Sequence, residues 1–199
     1  MMLPEDATYS QILLTEEEQA IIENDILGYY FPWFYISKQT TYIYQDHVPK
    51  EIRDGEYVNG PFLSHSLLRR TEEEHIKHTE RHINDYSEGY YEFFIGIFHR
   101  WMKANNKEYK NIFRANLNCN WYNGDDAVTV PHEDHTWPHH NWLLYLTDNP
   151  GAPTLIWHND KWLELPAEKF MVSDFKGCYH AHKYPKVGER RVVVVITYV

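Results

Sequence analysis

VPHEDHTW, residues 130–137, and CYHAHKYPKVGERRVVVVITYV, residues 178–199, decide how this chain is read. The first puts His132 and Asp134 at i and i+2, a spacing that sets both side chains on one face of a strand. Glu133, between them, points to the opposite face and is no ligand candidate. Pro131 marks a strand end or edge, where a site is reachable. The second stretch carries His180 and His182 ahead of Arg190, Arg191 and an unbroken β-branched run. Two imidazoles and one carboxylate can take one face of an octahedral ferrous ion and leave its other positions open. A guanidinium can hold a carboxylate bidentately. These are the parts needed to bind Fe(II) and a keto-diacid. An HxD pair alone is common by chance in a chain with 13 histidines, so the surrounding pattern must carry the case.

That pattern is one of short strands. From residue 111 the chain breaks into apolar pieces bounded by Gly, Pro, Asn or Asp: IFRANLNCNWYNGDD, AVTVPHED, NWLLYLTDNPGAPTLIW, KWLELPAEKFMVSDF and RRVVVVITYV. Many short strands in succession argue for a sandwich or barrel. Upstream the texture is helical. Thr15 followed by Glu18 is a capping box, and Ile22 and Ile26 then recur at helical spacing until Gly28. FPWFY, residues 31–35, follows shortly after; its Pro32 stops any helix, and the aromatics around it are expected to pack against the domain. Residues 36–70 mix β-like pieces such as TTYIY with turn signals.

Residues 71–104 read as the clearest helical region. Thr71 precedes three acids that suit a helix N-terminus, and YYEFFIGIFHRWM, residues 90–102, is apolar enough to be buried. His75, His78 and His82 share a helix face there, but no carboxylate shell or HExxH accompanies them, so a solvated face is expected. The layout is α+β, mainly β, in one domain over residues 1–199: a helical part to about residue 110, then a β-core over about 111–199.

Composition narrows the function classes. At 199 residues the chain suits one domain with a sizeable core. Its net charge of −10 argues against a broad phosphate-binding surface. The two cysteines, Cys119 and Cys178, form no CxxC pair, which suits a reducing cytosol. MMLPEDATYSQ lacks the pattern of a signal peptide, and no apolar run is long enough to span a bilayer.

HED, GAPT, CYHAHKYP and GERRVVVVITY resemble the core of the iron(II)/2-oxoglutarate-dependent oxygenases. That family's metal pattern is H-x-D, a distal H, then R or K roughly ten residues later. FPWFY after an N-terminal helix resembles a phage-type subgroup, and the whole is similar to a phage-type or prolyl-hydroxylase-like branch. The resemblance covers residues 110–199 well and the N-terminal half weakly. It implies a double-stranded β-helix, or jelly roll (cupin-like), with N-terminal helices packed on one sheet. It implies His132, Asp134 and His180 as catalytic iron ligands, with His182 as the other candidate for the distal place. NWYNGDD, residues 120–126, resembles a stretch of the AlkB-like branch that helps hold 2-oxoglutarate, which implies Asn120 and Tyr122 as cosubstrate contacts, with Asn116 a weaker one. His135, His139 and His140 have no counterpart and read as a polar loop near the site mouth.

Arg190 and Arg191 compete for the cosubstrate carboxylate. The spacing after His180 favours Arg190. Strand parity favours Arg191, which would set Val193, Val195 and Thr197 facing in and Val192, Val194, Ile196 and Tyr198 against the helices. The implied protein is a dioxygenase using Fe(II), 2-oxoglutarate and O2 to hydroxylate a substrate with release of succinate and CO2, in the cytoplasm, a host's if phage-encoded. The alternatives are a non-catalytic jelly-roll binding or structural protein with a degenerate metal site, and a zinc or cupin-type enzyme that needs no keto acid. The substrate class stays open between protein side chain, nucleobase and small molecule, and the oligomeric state is not readable. The loop over residues 136–142 is expected to touch substrate.

Overall fold

The run RRVVVVITY forms strand β10 (Arg190–Tyr198), and each of its residues after Arg190 is buried. β-branched side chains suit a strand covered on both faces, where a continuous apolar run replaces strict alternation. The structure is a computed structural model that describes residues 3–38, 48–69 and 87–199. β10 lies between β4 (Ile112–Trp121) and β5 (His140–Tyr145), antiparallel to both. β8 (Met171–Lys176) and β1 (Thr8–Gln11) extend the sheet beyond β5, and β3 (Phe62–Leu68) and β2 (Phe34–Ile36) extend it beyond β4. The order is thus β1-β8-β5-β10-β4-β3-β2.

A smaller sheet holds β7 (Lys161–Ala167), β6 (Asn149–His158) and β9 (His180–His182), in that order. Bridges Val128↔Lys183 and His132↔His180 lay the preceding segment beside β9. From β4 onward the chain passes back and forth between the sheets: β5 in the large one, β6 and β7 in the small, then β8, β9 and β10 in alternation. This is the expected jelly roll.

Alternation along β10 divides the interior in two. Val193 and Val195 pack between the sheets with Leu143, Tyr145, Ile156 and Phe175. Val192, Val194, Ile196 and Tyr198 point the other way, into a larger core beneath the helices. That core is closed by α3 (Glu88–Ala104), which supplies Tyr91, Phe94, Phe98, Trp101 and Met102. It is also closed by the N-terminal helix α1 (Glu16–Ile21), whose capping box between Thr15 and Glu18 is formed. α1 continues as a π-helical turn, Ile22–Ile26, that buries both isoleucines. Gly28 follows its C-cap Leu27 at a close approach only glycine allows, since a Cβ there would lie 2.0 Å from Asn24 O. A short helix α2 (Lys50–Arg53) buries Ile52.

The described residues up to 110 hold strands as well as helices. Three strands of the large sheet, β1, β2 and β3, come from them. β1 and β2 are too short to display a period, and β1 owes its conformation to a distant partner, β8. Within FPWFY, Phe31 is buried against Trp33, His65 and Tyr90, whereas Phe34 and Tyr35 are exposed. TTYIY, the acids after Thr71, and His75, His78 and His82 lie outside the described residues. No helix among the described residues is long and apolar enough to cross a membrane.

Phe98 is fully buried and meets Tyr109, Trp142 and Tyr198 edge-on, with centroids 5.2, 5.5 and 5.4 Å away. Phe98→Ala is expected to lower unfolding free energy by about 3–5 kcal/mol. Urea denaturation of the variant beside the parent protein checks this; a loss below about 1 kcal/mol would show that α3 is not docked as described.

Candidate metal centre

His132 and His180 face each other across a strand pair. Each backbone N–H donates to the other's carbonyl at 3.0 Å. Residues paired this way in an antiparallel ladder carry their side chains on the same face. The two imidazole centroids are accordingly 4.5 Å apart. Asp134, two residues on, lies in a bend and returns to that face, its Oδ2 3.4 Å from His180 Nε2. The three side chains each offer one donor atom, all within 4.8 Å of one another.

Local hydrogen bonds present the right nitrogens. His132 Nδ1–H donates to Val130 O at 3.2 Å, and His180 Nδ1–H to Cys178 O at 3.0 Å. Each ring is thereby held in the tautomer that leaves Nε2 with its lone pair free. Burial, reinforced by neighbouring His132, pushes the His180 imidazole down to about 4. It is therefore neutral at neutral pH, the form that can ligate a metal. Asp134 is fixed from behind: Arg114 Nη1 donates to its Oδ1 at 2.6 Å.

These residues line a cavity of about 300 Å³ that also takes in Arg191, Thr154, His182 and Asn120, with Leu143, Val193 and Val195 as apolar lining. Arg191 is only 2% exposed. Its Nε donates to Ala152 O at 3.0 Å and its Nη2 to Thr154 Oγ1 at 2.8 Å, and its guanidinium lies 5.4 Å from the Tyr145 ring centroid. Burial pulls it below its usual pKa. Among the described residues no carboxylate forms an ion pair with it. Arg190 lies on the opposite face, exposed, with Nη2 donating to Leu27 O.

His182 shares the cavity but not the donor cluster. Register sets it one step away from the His132–His180 pair, with its backbone N–H donating to Thr129 Oγ1. Its Nε2 is shielded and unpartnered, and burial together with the Arg191 charge holds its imidazole well below the usual range. Asn120 is buried opposite Arg191 in the β4–β10 register.

Other expected residues lie elsewhere. Tyr122 does not line the cavity: β4 ends at Trp121 and the chain turns through Gly124, so the period that aligns Asn120 stops short of it. Its hydroxyl instead faces Asp125, whose charge raises its pKa. His135 and His139 are interior residues rather than a polar loop: His135 Nε2 bonds Thr197 Oγ1, and the two rings meet edge-on. His140 is half-buried and stacks on Tyr198, and Trp142 is fully buried beneath α3, while Thr136 and Pro138 at the start of the stretch are exposed. Asn116 bonds Ser64 and does not line the cavity.

Arg114, Tyr145 and Thr154 escaped the sequence reading. Strand parity could have found Arg114, since it shares the inward face of β4 with Asn116, Asn118 and Asn120, while Ala115, Leu117 and Cys119 pack toward the helices.

No protein-family model matches this sequence, and no curated protein matches it. Solved structures do. A 2OG-Fe(II) oxygenase family oxidoreductase from Burkholderia pseudomallei superposes with a TM-score of 0.64 at 10% identity, covering 97% of this chain and 85% of that one. A prolyl hydroxylase from Trichoplax adhaerens, in complex with a hypoxia-inducible-factor peptide, gives 0.58 at 10% identity over 97% and 83%. A viral collagen prolyl hydroxylase from Paramecium bursaria Chlorella virus-1, in its 2OG complex, gives 0.53 at 8% identity over 98% and 96%. The chain has the fold of these oxygenases.

His180→Ala is expected to abolish stoichiometric binding of a divalent metal, whereas His182→Ala retains it. Metal analysis after anaerobic loading decides the matter, and the reverse outcome would exchange the two residues' places.

Proposed function

We propose that this protein is an Fe(II)- and 2-oxoglutarate-dependent dioxygenase that hydroxylates its substrate with release of succinate and CO2. One observation carries the reading: a single cavity joins a two-histidine, one-carboxylate donor set to a buried arginine that has no carboxylate partner among the described residues. An unpaired buried guanidinium is costly, by several kcal/mol, and a dianionic keto acid is the kind of ligand that would offset it. The donor chemistry suits ferrous iron, for which imidazole and carboxylate are ordinary ligands.

His132, Asp134 and His180 would hold the metal through two Nε2 atoms and one carboxylate. The bound iron and 2-oxoglutarate would supply the oxidation of substrate by O2. Arg191 would hold the distal carboxylate of the cosubstrate. Thr154 Oγ1 anchors that guanidinium, and the buried Tyr145 hydroxyl, bonded to Thr154 and Ser173, steadies the same cluster. Asn120 would add an amide beside it. Leu143, Val193 and Val195 would keep water from the methylene chain and so strengthen an ion pair at Arg191. The Nδ1 bonds of His132 and His180 prevent ring rotation that would withdraw the ligand nitrogens.

Among protein side chain, nucleobase and small molecule, a protein side chain is the substrate class we favour, because the fold is shared with a prolyl hydroxylase solved with a peptide. Residues 1–199 form one such oxygenase domain. The free cysteines Cys119 and Cys178 support a cytoplasmic site of action.

Anaerobic addition of Fe(II) and 2-oxoglutarate to the purified protein is expected to produce a weak visible absorption band. Admission of O2 with a substrate panel should then yield succinate. A metal-loaded, folded protein that shows neither is not an oxygenase, and a non-catalytic jelly roll would be the better description.

The same anaerobic titration separates the two arginines. Arg191→Ala is expected to weaken apparent 2-oxoglutarate affinity about a hundredfold or more, the equivalent of roughly 3–5 kcal/mol for a buried charge left alone. Arg190→Ala should shift it by less than about fivefold, as befits an exposed charge. Equal, small effects from both would mean that neither holds the cosubstrate.

A further inference from the structure

The two oxygens of Asp134 have different neighbours. Oδ1 accepts from Arg114 Nη1 at 2.6 Å, while Oδ2 lies 3.4 Å from His180 Nε2, on the side of the donor cluster. Arg114 stands on β4 directly opposite Thr197 of β10, and its side chain is 16% exposed. Both partners are therefore anchored to, or buried within, the body of the jelly roll. Asp134 itself sits in a bend, outside any ladder that would fix its side chain through the backbone.

We propose that Arg114 is a positioning residue that reserves Oδ1 of Asp134, so that only Oδ2 is offered to the metal. This rests on the metal-binding reading above. A carboxylate can ligate a cation through one oxygen or both. A short charge-assisted bond from guanidinium to carboxylate is among the stronger polar contacts, and more so with little water present. Chelation through both oxygens would bring the metal and the Arg114 guanidinium against the same Oδ1, where the two positive charges repel and weaken both contacts. The ion pair therefore holds the protein's contribution at three donors instead of four. One more coordination position stays available to small ligands than a chelating carboxylate would leave. A keto acid takes two positions of an octahedral ion, so this difference decides whether anything else can bind beside it.

Mn(II) serves as a probe that needs no turnover. Water-proton relaxivity of the Mn(II)-loaded protein counts exchangeable waters on the metal. Wild type and Arg114→Lys, which keeps a cation facing Oδ1, are expected to give the same count. Arg114→Leu is expected to hold one water fewer, with Mn(II) still bound. Circular dichroism establishes that the leucine variant is folded; if it is not, Arg114→Gln takes its place under the same criterion. A folded, charge-neutral variant with the wild-type water count overturns the role of Arg114 while leaving the metal site standing. Failure of the wild type itself to bind Mn(II) overturns the metal reading, and this inference with it.

Discussion

The reciprocal backbone hydrogen bonds between His132 and His180 are the constraint on which the centre depends. They join two residues far apart in the chain into one antiparallel pair, and the geometry of such a pair puts both imidazoles on the same side at van der Waals range. Asp134 then reaches them through the bend in which it lies. A slip of one residue in this pairing would turn every side chain of the segment to the other face and dissolve the cluster. The neighbouring bridge at Val128 and the bond from the His182 N–H to Thr129 oppose such a slip.

β10 carries a second constraint, because it serves two cores at once. Its even-numbered residues from Val192 to Tyr198 seal the sheet against α3 and the N-terminal helix, and its odd-numbered ones, Arg191, Val193 and Val195, line the cavity. Helix packing on one face and cavity chemistry on the other are thus coupled through one strand. The N-terminal helices need not touch the cavity to matter to it. They supply the apolar partners that keep β10 in the register where Arg191 points inward.

Much of this was legible from local pattern. The capping box at Thr15 and the buried character of the helix around Phe98 are short-range properties, and the structure carries both as read. The histidines after Asp134 misled because imidazole is polar by composition yet packs as an aromatic. His135 and His139 are buried, and His140 stacks on Tyr198. Tyr122 misled for a different reason, since a period can be extrapolated past the point where a strand stops.

By itself the sequence determined the residue types and their alternation, which argue for a sandwich or barrel, while the jelly roll and its candidate metal and carboxylate site were implied by the family resemblance those residues carry. It could not separate His180 from His182, which lie two apart and share a face, nor Arg190 from Arg191, where spacing and parity disagree. Tertiary structure sets the members of each pair in different places. His180 is the one paired with His132, and Arg191 is the one taken into the cavity while Arg190 reaches Leu27 at the surface. Tertiary structure alone also brought Arg114 to Asp134, because that contact depends on how two segments pack together. The reason is common to all three: cross-strand register and burial are relations between segments remote in sequence, and no local period encodes them.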